Sequence, residues 1–208
     1  MAKIITLHRR VQIKRPVVII SLVILLIVLS FVAASGTMGS LETQIFKWMY
    51  FMSDGLRWYA LAFTQFGNIW VCIGIIGVLF VVHKNPRLAL LVMQNSIAVY
   101  LCVEILKFIV ARPRPMLLLS DIYSREVAVF GYGFPSGHTA LATVMSLTII
   151  GSLNNRWRWL LLLWIGLVAW SRIYLGVHAP LDVIGGFIVG LVVVLLSQNT
   201  SLHKTIKR

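Results

Sequence analysis

The sequence contains little charge, and most of that charge is positive. Lysine, arginine, aspartate and glutamate make up only 12% of the 208 residues, hydrophobic side chains make up 59%, and the mean hydropathy is +0.90. A soluble domain carries about twice that fraction of charged residues. The composition therefore excludes an ordinary soluble protein and predicts an integral membrane protein.

Cysteine is also scarce, with two residues in the chain. Cys72 and Cys102 both lie within apolar runs, where a cysteine usually behaves as a small buried hydrophobe. Nothing in their placement supports a disulfide. We therefore assign the two cysteines no chemistry.

Long apolar runs are abundant, and six of them are long enough to cross a bilayer as helices, which takes about 20 residues. Because only helices and closed barrels span membranes, the sequence predicts an all-α bundle of six transmembrane helices. We expect a single domain over residues 1–208, with an N-terminal tail at about 1–16 and a C-terminal tail at about 199–208. The predicted spans are 17–34, 59–82, 88–111, 135–153, 157–177 and 180–198.

Most of the 19 lysines and arginines fall on one side of this topology. Because basic residues are enriched on the cytoplasmic side of membrane proteins, we expect both termini to be cytoplasmic in a plasma or inner membrane. The net charge of +13 is then mainly an orienting excess that also attracts anionic lipids. It requires no nucleic-acid partner.

A cleaved signal peptide is the alternative for the N-terminus. Arg9, Arg10, Lys14 and Arg15 precede an apolar run that ends in FVAAS. That run is longer than the usual apolar core of a signal peptide, which is about 7 to 15 residues. We therefore expect the first span to be retained.

The segment between the first two spans, residues 36–57, is too polar to cross the membrane and rich in aromatic residues. Ile45, Trp48, Met49 and Met52 recur at helical spacing and would form one lipid-facing stripe. This pattern predicts a helix lying in the outer membrane interface. The sequence leaves open whether it gates lipid access or is a passive anchor.

The third span ends in KFIVARPRP and carries an ionisable residue, Lys107, inside the apolar run. An ionisable residue within a span is a candidate functional residue, although a neutralising pair with Glu104 is the alternative. Arg112 and Arg114 follow, and the proline after each of them must end the helix. We expect both guanidinium groups at the outer surface.

The fourth predicted span is preceded by GFPSGH. Ser136 suits an N-cap, and Gly137 and His138 follow it, so free backbone N–H groups should face outward there. The N-terminus of a helix is a favourable place to bind an anion. The tetrapeptide alone is weak evidence, because such residues begin many helices.

A third polar cluster lies in SRIYLGVHAPLD, between the last two spans. Arg172 ends one span, His178 precedes the next, and Asp182 lies in its first turn. A carboxylate at that position can reach a ring nitrogen of His178, fix its tautomer and stabilise the imidazolium.

All three clusters emerge on the same outer face of the predicted bundle, so they can form one pocket. Two histidines and an aspartate could ligate a metal, but Lys107, Arg114 and Arg172 would repel a dication and suit a phosphate. Phosphoryl transfer also needs a nucleophile and an acid. Two histidines could divide those tasks, and the residues alone do not decide which does which.

The three clusters resemble the signatures of the type 2 phosphatidic acid phosphatase (PAP2) superfamily. One of the signatures requires an arginine followed by proline, and both Arg112 and Arg114 satisfy this; the spacing in the family favours Arg114. The motifs are KxxxxxxRP (Lys107, Arg114, Pro115), PSGH (Pro135, Ser136, Gly137, His138) and SRxxxxxHxxxD (Ser171, Arg172, His178, Asp182).

The resemblance implies a metal-independent and cofactor-free lipid phosphatase. In that reading His178 attacks phosphorus to form a phosphohistidine, Asp182 orients it, and His138 protonates the leaving oxygen and later activates water. The residues that the resemblance implies for phosphate binding are Lys107, Arg114, Ser136, Gly137 and Arg172.

The expected partners are membrane lipids and a lipid phosphate or polyprenyl diphosphate substrate. Undecaprenyl diphosphate is favoured by analogy with similar compact proteins, with phosphatidylglycerophosphate and phosphatidic acid as alternatives. A headgroup binder or transporter is the non-enzymatic alternative, and Gly186 and Gly190, spaced as GxxxG, are compatible with it, although close helix packing explains them equally well. The sequence predicts no oligomeric state.

The long outer loop at 116–133 contains three charged residues that the motifs do not use. They are Asp121, Arg125 and Glu126. We expect them to form a solvated face.

Overall fold

The computed structural model describes residues 2–126 and 129–198, with side chains described from residue 15 onward. These residues contain no β-strand, so the predicted all-α fold class is confirmed. The predicted C-terminal tail at 199–208 lies outside the described residues. The helices are α1 (Ala2–Ala34), α2 (Ser40–Tyr50), α3 (Arg57–Gln65), α4 (Ile69–Val81), α5 (Pro86–Val110), α6 (Pro115–Leu118), α7 (Gly137–Ile149), α8 (Asn155–Tyr174) and α9 (Pro180–Ser197).

Helices α5, α7, α8 and α9 lie where the last four spans are predicted, and each begins within two residues of its predicted start. Local residues set these starts. Asn85 caps α5 by accepting a hydrogen bond from the backbone N–H of Leu88 at 3.1 Å. Pro86 and Pro180 occupy the first turn of α5 and α9, where a proline costs no helical hydrogen bond.

The second predicted span, 59–82, is not one continuous helix. This segment is divided into α3 and α4, which are bent by 50° relative to each other. Asn68 caps α4 by accepting a hydrogen bond from the backbone N–H of Trp70 at 3.2 Å. A Cβ atom at Gly67 would lie 2.7 Å from the carbonyl oxygen of His138. The bend and the glycine together let the start of α4 contact the start of α7.

Three segments among the described residues are long and apolar enough to cross a membrane. They are Arg15–Ala34, Pro86–Leu118 and Pro180–Ser197, and the bent α3–α4 pair would make a fourth. Helix α7 has only 13 residues, and α8 carries three arginines. The protein therefore has the character of a membrane protein, and the number of spans depends on how the bent pair, α7 and α8 are placed.

Helix α7 is the central helix of the bundle. It packs against α5, α8 and α9, and every residue from Thr139 to Ser146 is buried. Glycines let α9 approach it closely, because a Cβ at Gly190 would lie 2.8 Å from the carbonyl oxygen of Ala140, and one at Gly186 would overlap the Ser136 carbonyl. The GxxxG spacing therefore serves helix packing here.

The predicted interfacial segment does contain a helix, α2, but its exposed stripe differs from the predicted one. Ile45 and Trp48 are exposed as expected. Met49 packs against a buried cluster, and α2 ends before Met52. The exposed apolar side chains of α2 are instead Leu41, Ile45 and Trp48.

We predict that Gly190→Ala destabilises the protein. The added methyl group would overlap the carbonyl oxygen of Ala140 and the side chain of Thr143, and such overpacking costs about 1 to 3 kcal/mol. The measurement is the midpoint of thermal unfolding in detergent. Gly166→Ala in α8 is the control, because a Cβ there meets no atom within 4 Å. Equal effects of the two substitutions would show that close packing of α9 on α7 is not what requires Gly190.

Candidate active site

The two arginines that follow α5 point into the protein interior. Ala111 ends the helix in the left-handed conformation, with φ of +49°, and donates its backbone N–H to the carbonyl of Lys107 at 2.9 Å. The prolines that follow then restrict Arg112 and Arg114 to extended geometry. Arg112 is 1% exposed and Arg114 is 5% exposed. The prediction that both guanidinium groups lie at the outer surface is therefore wrong.

The guanidinium of Arg114 is held by carbonyl groups. Its Nε donates to Gly131 at 2.9 Å, its Nη2 to Phe130 at 2.8 Å and its Nη1 to Val177 at 2.9 Å. Nη1 also lies 3.5 Å from Nε2 of His178. Among the described residues no carboxylate pairs with Arg114, so its charge is available to bind an anion.

A tight turn between α8 and α9 positions His178. Gly176 makes this turn with φ of +76°, and a Cβ there would lie 2.7 Å from the carbonyl oxygen of Tyr123, so only glycine fits. Asp182 lies in the first turn of α9, where its Oδ2 accepts the backbone N–H of Ala179 at 2.8 Å. The same oxygen is 3.5 Å from Nδ1 of His178. The structure thus places the carboxylate beside the ring, as the spacing predicts.

The environment of His178 favours the neutral ring. The side chain is 2% exposed, and its pKa lies well below the ordinary value of about 6.5. Burial is the largest cause, because it disfavours the charged imidazolium. The positive charges of Arg114, Arg172 and Lys107 lower the pKa further. A neutral ring leaves a nitrogen lone pair available at physiological pH.

Arg172 in the last turn of α8 is buried and paired. Its Nη1 lies 2.8 Å from a carboxylate oxygen of Glu126 and 2.6 Å from Oγ1 of Thr64. Arg125 beside Glu126 is also buried. The prediction that Asp121, Arg125 and Glu126 form a solvated face is therefore wrong for the last two, because Arg125 is buried and the partly exposed Glu126 pairs with the buried Arg172.

The start of α7 lies in the same region. Ser136 is the N-cap residue, but its side chain caps no N–H group and instead accepts a hydrogen bond from Thr139 at 3.1 Å. The backbone N–H of Ser136 donates to the carbonyl of Asp182 at 2.8 Å, which joins α7 to α9. The N–H groups of Gly137 and His138 are left without a side-chain cap, and this geometry suits an anion.

Lys107 and His138 line a cavity of about 220 Å³ between α5 and the starts of α4 and α7. The Nζ atom of Lys107 lies 2.7 Å from Glu104, so the neutralising pair that the sequence allowed is present. The same Nζ would be 3.9 Å from a Cβ at Gly137. The rest of the lining is Gly67, Asn68, Ile69, Val99, Tyr100, Val103, Glu104, Gly137 and Leu141.

The sequence-predicted residues thus lie at one end of the bundle. The C-terminal ends of α5 and α8 and the N-terminal ends of α7 and α9 supply them. These residues form two groups, which are joined by the backbone hydrogen bond from Ser136 to Asp182. Lys107, Gly137 and His138 line the cavity, whereas Arg114, Arg172, His178 and Asp182 form a buried polar cluster.

Sequence reasoning missed three charged partners of this cluster. Glu126 pairs with Arg172, as described above. Arg112 pairs with Asp182 at 2.8 Å, and Glu42 pairs with Arg112 at 2.7 Å. The only signal in the sequence was that acidic residues are rare in an apolar chain, so each of them needs a partner.

The donor chemistry of the site is that of an anion site. Within residues 2–126 and 129–198, no three histidine, cysteine, aspartate or glutamate side chains are placed to bind one metal ion. The positive charges of Arg114, Arg172 and Lys107 act on His178 instead.

Known proteins are similar to this chain in sequence and in fold. The profile of the PAP2 superfamily matches residues 88–205. An undecaprenyl-diphosphatase of Sulfolobus acidocaldarius is 27% identical over 146 residues, which cover 70% of this chain and 70% of that protein. A lipid A 4'-phosphatase of Porphyromonas gingivalis is 32% identical over 136 residues, which cover 60% of this chain and 57% of that protein.

The fold also matches a solved structure. The first transmembrane PAP2 type phosphatidylglycerolphosphate phosphatase from Bacillus subtilis aligns with a TM-score of 0.71 at 25% identity, over 91% of this chain and 98% of that chain. The profile match covers more than half of the sequence and includes all three motifs. The protein therefore belongs to the PAP2 superfamily of membrane phosphatases, which are hydrolases of phosphate esters.

Proposed function

We propose that this protein removes the terminal phosphate of a membrane lipid phosphate or diphosphate through a phosphohistidine on His178, with no metal or other cofactor. One observation supports this most. Arg114 has no carboxylate partner among the described residues, and it lies 3.5 Å from Nε2 of the buried His178. A phosphate bound by this arginine has its phosphorus within reach of the ring.

In the first step, the lone pair of His178 Nε2 attacks phosphorus and a P–N bond forms. The bond between phosphorus and the leaving oxygen breaks with its electron pair, and His138 donates a proton to that oxygen. A lipid monophosphate leaves as an alcohol, and a lipid diphosphate leaves as a monophosphate. Asp182, beside Nδ1, stabilises the positive charge that develops on the ring.

In the second step, water replaces the lipid. His138, now neutral, accepts a proton from the water molecule as the water oxygen attacks phosphorus. The P–N bond breaks, its electron pair returns to Nε2, and inorganic phosphate leaves. Each histidine therefore ends the cycle in the state in which it began.

Fixed positive charge lowers the barrier of both steps, because negative charge on the phosphoryl oxygens must be stabilised in the transition state. The cluster already holds these cations in a buried environment, where electrostatic interactions are stronger than in water. The groups that we assign to the phosphoryl oxygens are Lys107, Arg114, Arg172, the Ser136 side chain and the backbone N–H of Gly137.

We place this site at the periplasmic or extracellular end of a six-span bundle with both termini cytoplasmic. In this arrangement α1, the bent α3–α4 pair, α5, α7, α8 and α9 cross the membrane. Helix α7 is enclosed by its neighbours, so it needs no apolar face toward lipid. The exposed side chains of Leu41, Ile45 and Trp48 suit placement of α2 in the outer interface.

The preferred substrate that we propose is undecaprenyl diphosphate. The cavity has an apolar lining along α4 and α5 and a polar end at Lys107 and His138, which suits a lipid whose tail remains in the bilayer. A relative from Sulfolobus acidocaldarius bears the name of that activity. Phosphatidylglycerophosphate and phosphatidic acid are the competing substrates in the experiment below.

We predict that the purified protein releases phosphate from undecaprenyl diphosphate in excess chelator and that His178→Ala abolishes this release. Asp182→Asn should lower kcat by about 10² to 10⁴-fold, as loss of an orienting carboxylate does in a catalytic triad. The exposed His83→Ala is the matched control and should keep full activity. Release that survives in His178→Ala, or that requires a metal, would contradict the mechanism.

The pH dependence of kcat/KM provides a second test. Protonation of His178 below its pKa removes the attacking lone pair, and that pKa is well below its ordinary value. The acid limb of the wild-type profile should therefore lie below pH about 6.5. Arg114→Gln removes a charge that lowers this pKa, so its acid limb should move to higher pH. The substrate titrates identically in both assays, and coincident limbs would contradict the effect of Arg114 on His178.

Glu126 must compete with phosphate for Arg172, because the two side chains are paired at 2.8 Å. We predict that Glu126→Gln strengthens product inhibition by orthophosphate about 5-fold, which corresponds to loss of a competing ion pair worth roughly 1 kcal/mol. The inhibition constant is the measurement. Asp121→Asn removes an exposed acid of the same loop and is the control. Equal effects of the two variants would indicate a general charge effect and not competition at Arg172.

A further inference from the structure

Both oxygens of the Asp182 carboxylate are held. Oδ2 accepts the backbone N–H of Ala179 at 2.8 Å and lies 3.5 Å from Nδ1 of His178. Oδ1 accepts a hydrogen bond from Nη1 of Arg112 at 2.8 Å. The orientation of the carboxylate toward the ring is therefore set by groups on both sides of it.

Arg112 is in turn held by a second carboxylate. Nη1 of Arg112 donates to Oε1 of Glu42 at 3.1 Å, and Nη2 donates to Oε2 at 2.7 Å. This is the bidentate geometry in which an arginine is most firmly oriented. Nη2 also donates to the carbonyl of Thr37 at 2.9 Å.

Glu42 lies in the first turn of α2, 70 residues from Arg112 in the sequence. Its Oε1 also accepts the backbone N–H of Leu181 at 3.0 Å, next to Asp182 in α9. The glutamate thus contacts both the arginine and the helix that carries the aspartate. The four side chains form a row of successive contacts, in the order Glu42, Arg112, Asp182 and His178.

We infer that Arg112 and Glu42 are positioning residues for the histidine nucleophile. In this inference Glu42 orients the guanidinium of Arg112, and Arg112 keeps the Asp182 carboxylate ionised and directed at Nδ1 of His178. The inference rests on the proposed function, because it assigns a role toward the phosphohistidine step. It also makes the position of α2 part of the active-site geometry.

The energetic reason is the burial of Asp182, which is 0% exposed. An ionised carboxylate in such a place is strongly disfavoured unless a cation pairs with it. Within the described part of the chain, Arg112 is the only arginine or lysine that forms an ion pair with Asp182. Without that charge the carboxyl group would be neutral or displaced, and it could not stabilise positive charge on His178.

Arg112 does not bind the phosphate in this arrangement. Its hydrogen bonds within the described part of the chain go to Glu42, Asp182 and Thr37, and it does not line the cavity that contains Lys107 and His138. Loss of Arg112 should therefore lower kcat and leave KM nearly unchanged. Loss of a phosphate ligand such as Arg114 should instead also raise KM.

The test is a set of double-mutant cycles on phosphate release from undecaprenyl diphosphate in detergent. Arg112→Met, Arg112→Lys and Glu42→Gln are each measured in the wild type and in Asp182→Asn, with thermal unfolding followed in parallel. We expect Arg112→Met to lower kcat about 10- to 100-fold. This is the range found when a residue that orients a metal ligand by a hydrogen bond is removed. Arg112→Lys and Glu42→Gln should cause smaller losses, because each keeps part of the hydrogen bonding.

In the Asp182→Asn background the same substitutions should lower kcat less than about threefold further, since residues that act through one another are not additive. Lys47→Gln is the control in α2. It breaks the exposed pair with Asp121 and should leave kcat unchanged.

Three outcomes would overturn the inference while the proposed function stands. These are unchanged kcat in the folded Arg112 and Glu42 variants, an effect confined to KM, or full additivity with Asp182→Asn. If Arg112→Met does not fold, the cycles with Arg112→Lys and Glu42→Gln decide the question. Turnover that persists in His178→Ala would instead reject the proposed function itself, and the inference with it.

Discussion

Ion pairs with buried arginines hold the active-site end of this protein together. The chain has six acidic residues, and each of them forms an ion pair with a lysine or arginine. A buried guanidinium without a partner costs several kcal/mol, so these pairs determine which parts of α2 and the outer loop fold against the helices. The pairs are Glu42 and Asp182 with Arg112, Asp54 with Arg125, Glu104 with Lys107, Asp121 with Lys47, and Glu126 with Arg172.

The buried arginines of the site differ in how far carboxylates neutralise their charge. Arg112 is shared by two carboxylates, Arg172 has one carboxylate and a hydroxyl group, and Arg114 has carbonyl groups only. The arginine with the least neutralised charge is the one beside Nε2 of His178. An arginine neutralised by carboxylates and an arginine with no carboxylate partner in the described part of the chain thus lie within the few residues of RPRP. The first arginine is paired with the aspartate, and the second has carbonyl partners and no carboxylate partner within the described residues.

Much of the candidate site could be predicted because its parts are local. Pro180 begins α9, so Asp182 had to lie in the first turn, near His178. The RPRP segment had to end α5 for the same kind of reason. The close approach of Gly67 to His138 could not be predicted, because the two residues lie on different helices. The burial of Arg125 and the pairing of Glu126 with Arg172 could not be predicted either, since their polar loop resembles any solvated segment.

The sequence by itself determined that the protein is helical and membrane-embedded, where most helices begin and end, and which residues match the family motifs. The signals for these features are local in the sequence, so they can be recognised without the tertiary structure. They are the length of apolar runs, the positions of proline and glycine, and the spacing of motifs. Only the tertiary structure decided the pairing of charges, such as Arg112 with Glu42, 70 residues away. Coulomb interactions depend on distance through space and on burial, and both are set only when the helices pack.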